Sequence, residues 1–556
     1  MIEALRFDGY LTNYTELCAK AGLPALPQNE ENLKALTAGC YRMWGKNLLS
    51  HMDGGFFVAL YDSSSEEYLI GRDRFGIRGG YYACRKGMPF RFGTSPMEVL
   101  RAARIRPAVD EKSLQLYLMF SFVPGPGTLF EGVSKLLPGE FAVYKKGQLT
   151  KRRYWQPEYS PKTGVSLDDW AAQLDKTLRQ SVKETPRGKV THGLLSSGVD
   201  SAYLTAVSNT AHTHTACFRD SAWHEETGAQ ETAAALGVEN ELHLIDPDRY
   251  LRSIPEVLRC LEEPLGDASE PALYLMCKEL QGRCDTVYSA EGIDEMFGGY
   301  HSCRAALRRA PYWVLPGPLR RAAAGIAGQF PGLPGSWLML AGERDITEHP
   351  GNTVVFGRSG IRKILNGKPE LIDPYETVRE CCPTAEGADM VTLMCDHDLR
   401  LGFANSILLG IDRISAGTGI RFCMPFVSRR VFELAASIPS GHKVTRSTGK
   451  LVFRRAAAHA LPEEICRRRK IGFETPVCVW LQQERFGGRV REAFETPAAA
   501  RWFKKQQLDL LWKRFLRRPD RYWHQIWTIY MFLQWEEIFI ENKQESAGRS
   551  PERSSV

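Results

Sequence analysis

The chain has 556 residues, of which 43% are hydrophobic and 25% charged, and its formal net charge is +7 at pH 7. This composition is typical of a globular protein and excludes a mainly disordered or fibrous chain. The mild positive charge suits an anionic substrate and does not by itself indicate nucleic acid binding. The sequence shows no signal peptide and no apolar run long enough for a membrane span, which predicts a cytoplasmic protein without membrane contact.

The cysteines and histidines of the sequence show no metal-binding spacing. The fourteen cysteines are scattered, without a Cys-x-x-Cys pair or a Cys/His pattern of the zinc type. The segment at 212–214, with the sequence HTH, is predicted to approach a strand rather than to bind a metal. We therefore expect free thiols, in keeping with a reducing compartment.

The predicted elements of residues 1–156 are mainly strands, which indicates a β-rich domain. Apolar alternation bounded by turn residues predicts strands at 55–61, 68–71, 80–84 and 140–144, with a helix at 111–119. A linker is predicted at 157–164 from its proline and glycine residues.

A second domain is predicted at 165–540, where helical and strand patterns alternate. Helices are predicted at 167–183, 202–209, 230–236 and 273–280, and short strands at 190–195, 214–218, 240–245 and 286–289. Alternating units of this kind predict a doubly wound α/β fold, with a parallel sheet covered by helices on both faces. The sequence says little about residues 301–395. A helical region is predicted at 396–540, and the polar tail at 541–556 is predicted to be disordered.

Two polar segments follow predicted strands of this second domain. Residues 196–201 have the sequence SSGVDS, and residues 289–300 have the sequence SAEGIDEMFGGY. In open α/β sheets the ligand crevice lies outside the carboxyl ends of the strands. Small residues there expose backbone N–H groups to phosphate, and Asp200, Asp294 and Glu295 offer the oxygen ligands that Mg²⁺ prefers. The two segments together predict a site for a nucleoside triphosphate and Mg²⁺.

The specificity of this prediction depends on the second segment. A single Ser/Gly turn is also typical of an ordinary capped helix start, whereas the second segment is long and distinctive. The sequence contains no Gly-x4-Gly-Lys-Ser/Thr loop, and no Gly-x-Gly-x-x-Gly opens a helix after a strand.

The two segments resemble the motifs SGGxDS and SGEGxDExFGGY of the asparagine synthetase (glutamine-hydrolysing) family, with Ala290 at the first Gly of the second motif. The resemblance covers nearly the whole chain. Further similar stretches are 120–137, 153–155, 412–415, 425–426 and 470–480. The resemblance implies an amino-terminal glutaminase-like domain of the Ntn-hydrolase type, followed by an ATP-pyrophosphatase domain of the HUP-like class with a helical carboxyl-terminal part.

The resemblance also implies a reaction. The enzyme adenylates the side-chain carboxylate of aspartate or a related acid with ATP, and ammonia then displaces AMP to give the amide. Pyrophosphate is the other product, and ATP and Mg²⁺ are the implied cofactors.

The matching motifs assign roles to individual residues. Glu291 is the implied general base for ammonia, and Lys470 is the implied catalytic cation on pyrophosphate. Mg²⁺ is assigned to Asp200 and Asp294. The residues implied to bind ATP or pyrophosphate are Leu195, Ser196, Ser197, Gly198, Asp200, Ser201, Phe218, Ser289 and Ala290.

The glutaminase-like part departs from the family pattern. Residues 5–17 look like a segment that lies well inside a complete glutaminase domain, and Ile2 stands where the family has its nucleophilic cysteine. Asp8 and Asn29 replace an Asn and an Asp that contact glutamine, and Cys18 has no matching context. We expect no glutaminase activity from this chain.

Three explanations of this departure stay open: a vestigial domain, a misassigned start, or one half of a split pair. A large half-domain core would be exposed unless another chain, such as a separate glutaminase or a missing amino-terminal half, covers it. A homodimer also stays open.

Two replacements affect the expected acceptor acid. Arg421 and Cys423 stand where the family has a Glu and an Arg, at a position expected near the helical wall of the site. This change leaves room for a specialised acid, as in relatives that close β-lactams or cyclise peptides. Glu291 favours simple ammonia, because those β-lactam relatives have a Tyr there. A non-catalytic binding subunit is the third possibility.

Overall fold

The computed structural model describes residues 2–219, 225–313, 315–329, 354–367, 369–383, 388–468 and 475–541. Lys470 lies outside these residues, as does the predicted tail beyond Glu541. Within them the chain forms an antiparallel sheet, then a parallel sheet, then a set of helices.

The amino-terminal part is built on a five-stranded antiparallel sheet in the order β1-β2-β3-β7-β8, with a second sheet of three short strands, β5-β4-β6. The apolar residues of the second strand, β2, at 56–60, are buried on both faces of the sheet. The strands are β1 (Ile2–Leu11), β2 (Gly54–Asp62), β3 (Glu67–Arg72), β4 (Tyr81–Ala83), β5 (Arg91–Gly93), β6 (Ser134–Lys135), β7 (Glu140–Lys145) and β8 (Gln148–Arg153).

Helices and the small sheet cover the two faces of this five-stranded sheet. One apolar cluster joins Phe7, Phe56 and Val58 to the helical residues Leu17 and Leu36. The other face packs against β4 and the residues around it. Among the described residues of this part, Leu26 and Met43 are the exposed large apolar side chains, so the exposed core expected for a split domain is not seen. The helices here are α1 (Tyr14–Lys20), α2 (Glu30–Trp44), α3 (Leu48–His51), α4 (Pro96–Ala103) and α5 (Glu111–Phe120), with a 3-10 turn at Gly45–Asn47.

The second sheet is parallel and has five strands in the order β11-β10-β9-β12-β13. Helices connect its strands, so the predicted doubly wound α/β fold is confirmed. The strands are β9 (Thr191–Leu194), β10 (His212–Cys217), β11 (Glu239–Leu244), β12 (Thr286–Tyr288) and β13 (Arg421–Cys423). The connecting helices are α6 (Leu167–Glu184), α7 (Val199–Ser208), α8 (Glu225–Leu236), α9 (Pro247–Leu261) and α10 (Glu270–Leu280).

The strand order creates a crevice between β9 and β12. After β9 the chain adds β10 and β11 on one side, and β12 then pairs with the other side of β9. This reversal is the topological switch point at which open α/β sheets bind their ligands.

The remaining described chain is mainly helical. Its last long helix buries Trp527, Phe532 and Trp535, as expected for aromatic side chains that form a core. No described helix has the length and apolar content needed to cross a bilayer.

These helices are α11 (Ile293–Phe297), α12 (His301–Trp313), α13 (Gly317–Gln329), α14 (Arg358–Ile364), α15 (Pro374–Cys381), α16 (Met390–His397), α17 (Leu408–Thr418), α18 (Arg429–Ser437), α19 (Ser440–Lys443), α20 (Leu451–Ala457), α21 (Glu463–Arg467), α22 (Val477–Trp480), α23 (Glu484–Glu492), α24 (Pro497–Trp502), α25 (Lys505–Arg517) and α26 (Pro519–Glu536). Segments of π-helix lie at Asp398–Ile407 and Glu537–Glu541, and a 3-10 turn lies at Ala493–Glu495.

Buried ion pairs join the two parts of the chain. Asp412 accepts hydrogen bonds from Arg78 Nη1 at 2.7 Å and from the Gly79 N–H at 2.9 Å. Arg413 donates to Glu262 at 2.9 Å, and Glu262 also accepts the Met97 N–H at 2.8 Å. The neighbouring residues Asp412 and Arg413 therefore fix the antiparallel part against the parallel sheet.

Candidate active site

The two predicted phosphate-binding segments lie side by side, because β9 and β12 are neighbouring strands. Thr286 and Tyr288 of β12 pair in register with Thr191 and Gly193 of β9. The first segment leaves the carboxyl end of β9, and the second leaves the carboxyl end of β12. Both therefore open onto the switch-point crevice.

Serine hydroxyls shape the first of these loops. The Ser196 N–H donates to Ser201 Oγ at 3.0 Å, and the two Oγ atoms lie 2.8 Å apart. The Gly198 N–H donates to Ser196 Oγ at 3.2 Å. The loop leads directly into α7, whose first turn carries Asp200 and Ser201. Hydroxyl and N–H groups at a helix N-terminus form a favourable environment for a phosphate.

A carboxylate already binds to this loop. The Ser197 N–H donates to Glu225 Oε1 at 2.8 Å, and Ser197 Oγ donates to Glu225 Oε2 at 2.7 Å. Our sequence reasoning missed Glu225, because an acidic residue in the first turn of a helix is ordinary. Its contacts show that the loop presents donors to an oxyanion.

Lys450 joins the two carboxylates that the sequence assigns to Mg²⁺. Its Nζ contacts Asp200 Oδ2 and lies 2.6 Å from Asp294 Oδ1. The lysine is only 1% exposed and adopts a left-handed backbone conformation with φ 57°. Sequence reasoning missed it because its side chain resembles any surface lysine. One signal was available in the sequence. A cation at the start of a helix is unfavourable because it opposes the helix dipole, so its presence there indicates a role other than helix stabilisation.

Glycines allow this close approach. A Cβ atom at Gly299 would lie 1.7 Å from Asp294 Oδ1 and 2.1 Å from Lys450 Cε. A Cβ atom at Gly449 would lie 2.5 Å from the carbonyl oxygen of Gly298. Gly299 is therefore required by the packing around Lys450, and Gly449 by the close approach of the Gly298 carbonyl oxygen.

The donor set fits a magnesium site. Asp200 and Asp294 start α7 and α11, are each 9% exposed, and contact one ammonium group. Two carboxylates that share one ammonium keep a net negative charge. Hard oxygen donors of this kind suit Mg²⁺, which is usually held by one or two carboxylates together with substrate phosphates.

Glu291 and Glu295, both in the second motif, occupy different environments. Ser289 Oγ donates to Glu291 Oε1 at 2.8 Å at the mouth of the crevice, and the Ser289 N–H is fixed by the carbonyl oxygen of Cys423 at 3.0 Å. Glu295 is buried and accepts a hydrogen bond from Tyr300 Oη at 2.5 Å. Burial and the nearby Asp294 raise the pKa of Glu295 to about 8. Glu295 therefore supports the site from behind, whereas Glu291 lies at its surface.

The apolar residues predicted to contact adenosine belong to two separate clusters. Leu195 packs with Ala229 and Ala233 of α8. Phe218 meets the ring of Trp480 edge-on, with a centroid distance of 5.7 Å. Trp480 ends the predicted 470–480 motif, so this motif reaches Phe218 even though Lys470 lies outside the described residues. Ala290 packs against the same large core.

The two replaced residues lie on a strand rather than on a helical wall, which corrects the sequence expectation. Arg421 and Cys423 are the ends of β13, the edge strand beside β12. Arg421 Nη2 donates to Thr286 Oγ1 at 3.3 Å, and Cys423 is buried opposite Tyr288. Strand β13 was missed because it has only three residues within a region that the pattern predicts to be helical.

Positions that align with glutamine-contacting residues have structural partners in the amino-terminal part. Asn29 caps α2 by accepting the Asn32 N–H at 2.8 Å. Asp8 lies 3.2 Å from Arg6 Nη2. Cys18 lies in α1 and is 1% exposed, too buried to reach a glutamine in solvent.

A protein-family model described as asparagine synthase matches residues 173–537, which is well over half of the chain. The chain belongs to the asparagine synthase family. A second model, described as a glutamine amidotransferase domain, matches residues 3–155. These matches confirm the resemblance inferred from the motifs, and membership of the asparagine synthase family supports an ATP-dependent amide ligase.

Two curated relatives match almost the whole chain, and a third matches about half of it. Asparagine synthetase [glutamine-hydrolyzing] 1 of Bacillus subtilis is 28% identical over 546 residues, covering 97% of this chain and 86% of its own. A putative asparagine synthetase [glutamine-hydrolyzing] of Mycobacterium tuberculosis (strain H37Rv) is 28% identical over 562 residues, covering 97% and 85%. Amidase chyE of Penicillium rubens is 25% identical over 305 residues, covering 49% of this chain and 43% of its own.

Proposed function

We propose that the chain is an AMP-forming amide ligase, which activates the side-chain carboxylate of aspartate or a related acid and transfers ammonia to it. The observation that carries this proposal is the convergence of Asp200, Asp294 and Lys450 at the switch point, beside the serine loop. This arrangement combines phosphate donors, oxygen ligands and a buried cation in one crevice.

The first step joins the acid to AMP. A carboxylate oxygen of the acid attacks the α-phosphorus of ATP, the bond to the bridging oxygen of the β-phosphate breaks, and pyrophosphate leaves with the electron pair. Ser196, Ser201 and the loop N–H groups hold the phosphates, and Lys450 together with Lys470 balances the charge of the leaving group. Bound Mg²⁺, held by Asp200 and Asp294, would neutralise phosphate charge.

The second step forms the amide. Ammonia attacks the acyl carbon of the adenylate, the acyl–oxygen bond to AMP breaks, and AMP leaves. The nitrogen loses a proton in this step, and Glu291 accepts it. The hydrogen bond from Ser289 Oγ holds the Glu291 carboxylate at the strand end, where the activated acid would lie.

A second candidate keeps the adenylation and changes the acid. Arg421 and Cys423 adjoin the strand from which the second motif leaves, and Cys423 holds the Ser289 N–H through its carbonyl oxygen. Replacing a family carboxylate by Arg421 reverses one charge beside the acceptor site. This change favours an acid other than aspartate, including a specialised metabolite or peptide.

Product analysis tests both candidates. The purified chain is incubated with ATP, Mg²⁺ and ¹⁵N-ammonium, with either aspartate or a panel of other acids, and the products are separated by mass spectrometry. We expect AMP, pyrophosphate and one ¹⁵N-amide in equal amounts, with ammonium but not glutamine as donor. Formation of ADP, or amide formed from glutamine by protein free of glutaminase contamination, would overturn the proposal.

A further inference from the structure

A row of imidazoles crosses the parallel sheet behind the strand ends. His192, His214 and His243 lie on the neighbouring strands β9, β10 and β11 and face the same side of the sheet. His192 Nδ1 lies 2.8 Å from His214 Nε2, and His214 Nδ1 lies 3.0 Å from His243 Nε2. His214 and His243 are buried, whereas His192 is half-buried.

Carboxylates flank this row. Glu241 Oε2 lies 3.7 Å from His214 Nδ1, and the Glu241 carboxylate is also paired with Arg283. Glu279 of α10 contacts His243 Nδ1 and is paired with Arg249 at 2.5 Å.

These contacts fix the proton positions along the row. Glu279 accepts a hydrogen bond from the Nδ1–H of His243, so His243 Nε2 presents its lone pair to His214. A neutral imidazole with a carboxylate on its far nitrogen is the usual form of a histidine that binds a metal.

We propose that His214 Nδ1, His243 Nε2 and a Glu241 carboxylate oxygen bind one Zn²⁺ or a similar transition-metal ion. These three ligand atoms lie within 4.8 Å of one another. Tetrahedral zinc holds its nitrogen and oxygen ligands at about 2.0–2.2 Å, which separates them by roughly 3.5 Å. Small side-chain movements therefore suffice, and a water molecule completes the coordination.

The row supplies the required proton shift. Before the ion can bind, the proton that lies between His214 Nδ1 and His243 Nε2 must move to His214 Nε2. His214 Nε2 then donates a hydrogen bond to His192 Nδ1, and His192 carries its own proton on Nε2. The three rings together keep the same number of protons, so their rearrangement releases none. The ion would link β10 to β11, and it is independent of the proposed ligase reaction.

The test is metal binding by the full chain after chelator treatment and dialysis. We expect about one Zn²⁺ bound per chain, a higher melting temperature with Zn²⁺, and a visible tetrahedral absorption band with Co²⁺. Substitutions His214→Gln and Glu241→Gln should each weaken binding at least 10-fold. Glu279→Gln, which removes the carboxylate that orients His243, should weaken it about 10–100-fold.

His212→Gln is the matched control, because His212 lies on β10 but is exposed and pairs with Glu239. It should leave zinc binding unchanged. Glu241→Gln is the variant least expected to misfold, since Glu241 is half-exposed and its replacement leaves the buried imidazoles in place. A loss of zinc binding in this variant can therefore be assigned to the missing ligand. The proposal would be overturned if the parent chain fails to bind Zn²⁺. It would also be overturned if the His214→Gln and Glu241→Gln variants bind Zn²⁺ as tightly as the parent, since the row would then be only a set of hydrogen bonds.

Discussion

Lys450 is the residue around which the proposed site is organised. Its ammonium group compensates two buried carboxylates at once, and the glycines beside it leave space for nothing larger than hydrogen. Removing one partner of a buried ion pair is costly because it leaves an uncompensated charge. The lysine therefore contributes both to the fold of the crevice and to the charge available for pyrophosphate.

We expect Lys450→Met to lower the free energy of unfolding in magnesium-free buffer by about 3–5 kcal/mol, from the loss of a buried partner. Denaturant titration measures this change. Arg455→Ala is the control, because Arg455 lies on α20, the helix that begins directly after Lys450, in an exposed pair with Asp168, and its loss should have little effect. Equal stability of Lys450→Met and the parent would show that the ammonium does not compensate the carboxylates.

The metal carboxylates give a second prediction at this scale. Asp200→Asn and Asp294→Asn should each reduce ATP–pyrophosphate exchange by about 100-fold or more, because each removes charge from the phosphate site. Asp168→Asn, in an exposed surface pair, should leave the exchange rate unchanged. Exchange near the parental rate in either site variant would exclude that residue as a metal ligand.

Glu291 separates the second chemical step from the first. Glu291→Gln keeps the size and the contact with Ser289 but cannot accept a proton, so amide formation should fall by about 10²–10⁴-fold. The same preparation is assayed for pyrophosphate exchange, which should fall less than the amide yield. A variant that makes amide at the parental rate would return Glu291 to a structural role.

The residues of the site were predictable only in part from the sequence. The motif residues Ser196, Asp200, Ser289 and Asp294 were predicted to share one crevice, and the structure brings them together there. Lys450 and Glu225 were missed because each acts through contacts with a distant segment.

At the scale of elements, the alternation of patterns predicted four strands of the parallel sheet but not its edge strand β13. Strands β9 to β12 and helices α6, α7, α8 and α10 were predicted near their observed positions. Helix α9 was missed, although its amphipathic pattern is strong, because Pro255 interrupts it. The histidine row was missed because each of its members lies on a different strand, and register between strands is not visible in sequence.

The short helix α11 gives a pH-dependent prediction. The pKa of Glu295 is about 8 in the folded chain, above the ordinary value of 4.5, so the folded state holds a proton that the unfolded state loses. The contribution of the protonated Glu295 to the free energy of unfolding is therefore complete below pH 4.5 and is lost as the pH rises through about 8. Glu295→Gln should remove this loss, and the stability of the variant should decrease less than that of the parent between pH 5 and 8. Parallel stability curves for the two proteins would contradict this prediction.

At the scale of the molecule, the two parts of the chain meet through Asp412, Arg413 and Glu262. The sequence marked residues 412–415 as a family motif, and the structure gives two of its residues a joining role. The expected exposed core of the amino-terminal part is absent among its described residues, because one chain supplies cover for both faces of the sheet. Coverage of this kind was not predictable, since α1 to α3 carry only weak helical patterns.

The central claim is that the crevice between β9 and β12 adenylates a carboxylate. Isotope exchange between labelled pyrophosphate and ATP, measured with Mg²⁺ and no nitrogen donor, tests it most directly. We expect label to enter ATP only when an acceptor acid is present, and the acid that supports exchange identifies the substrate. Folded protein that exchanges no pyrophosphate with aspartate or any acid of the panel would contradict the account and favour a non-catalytic binding subunit.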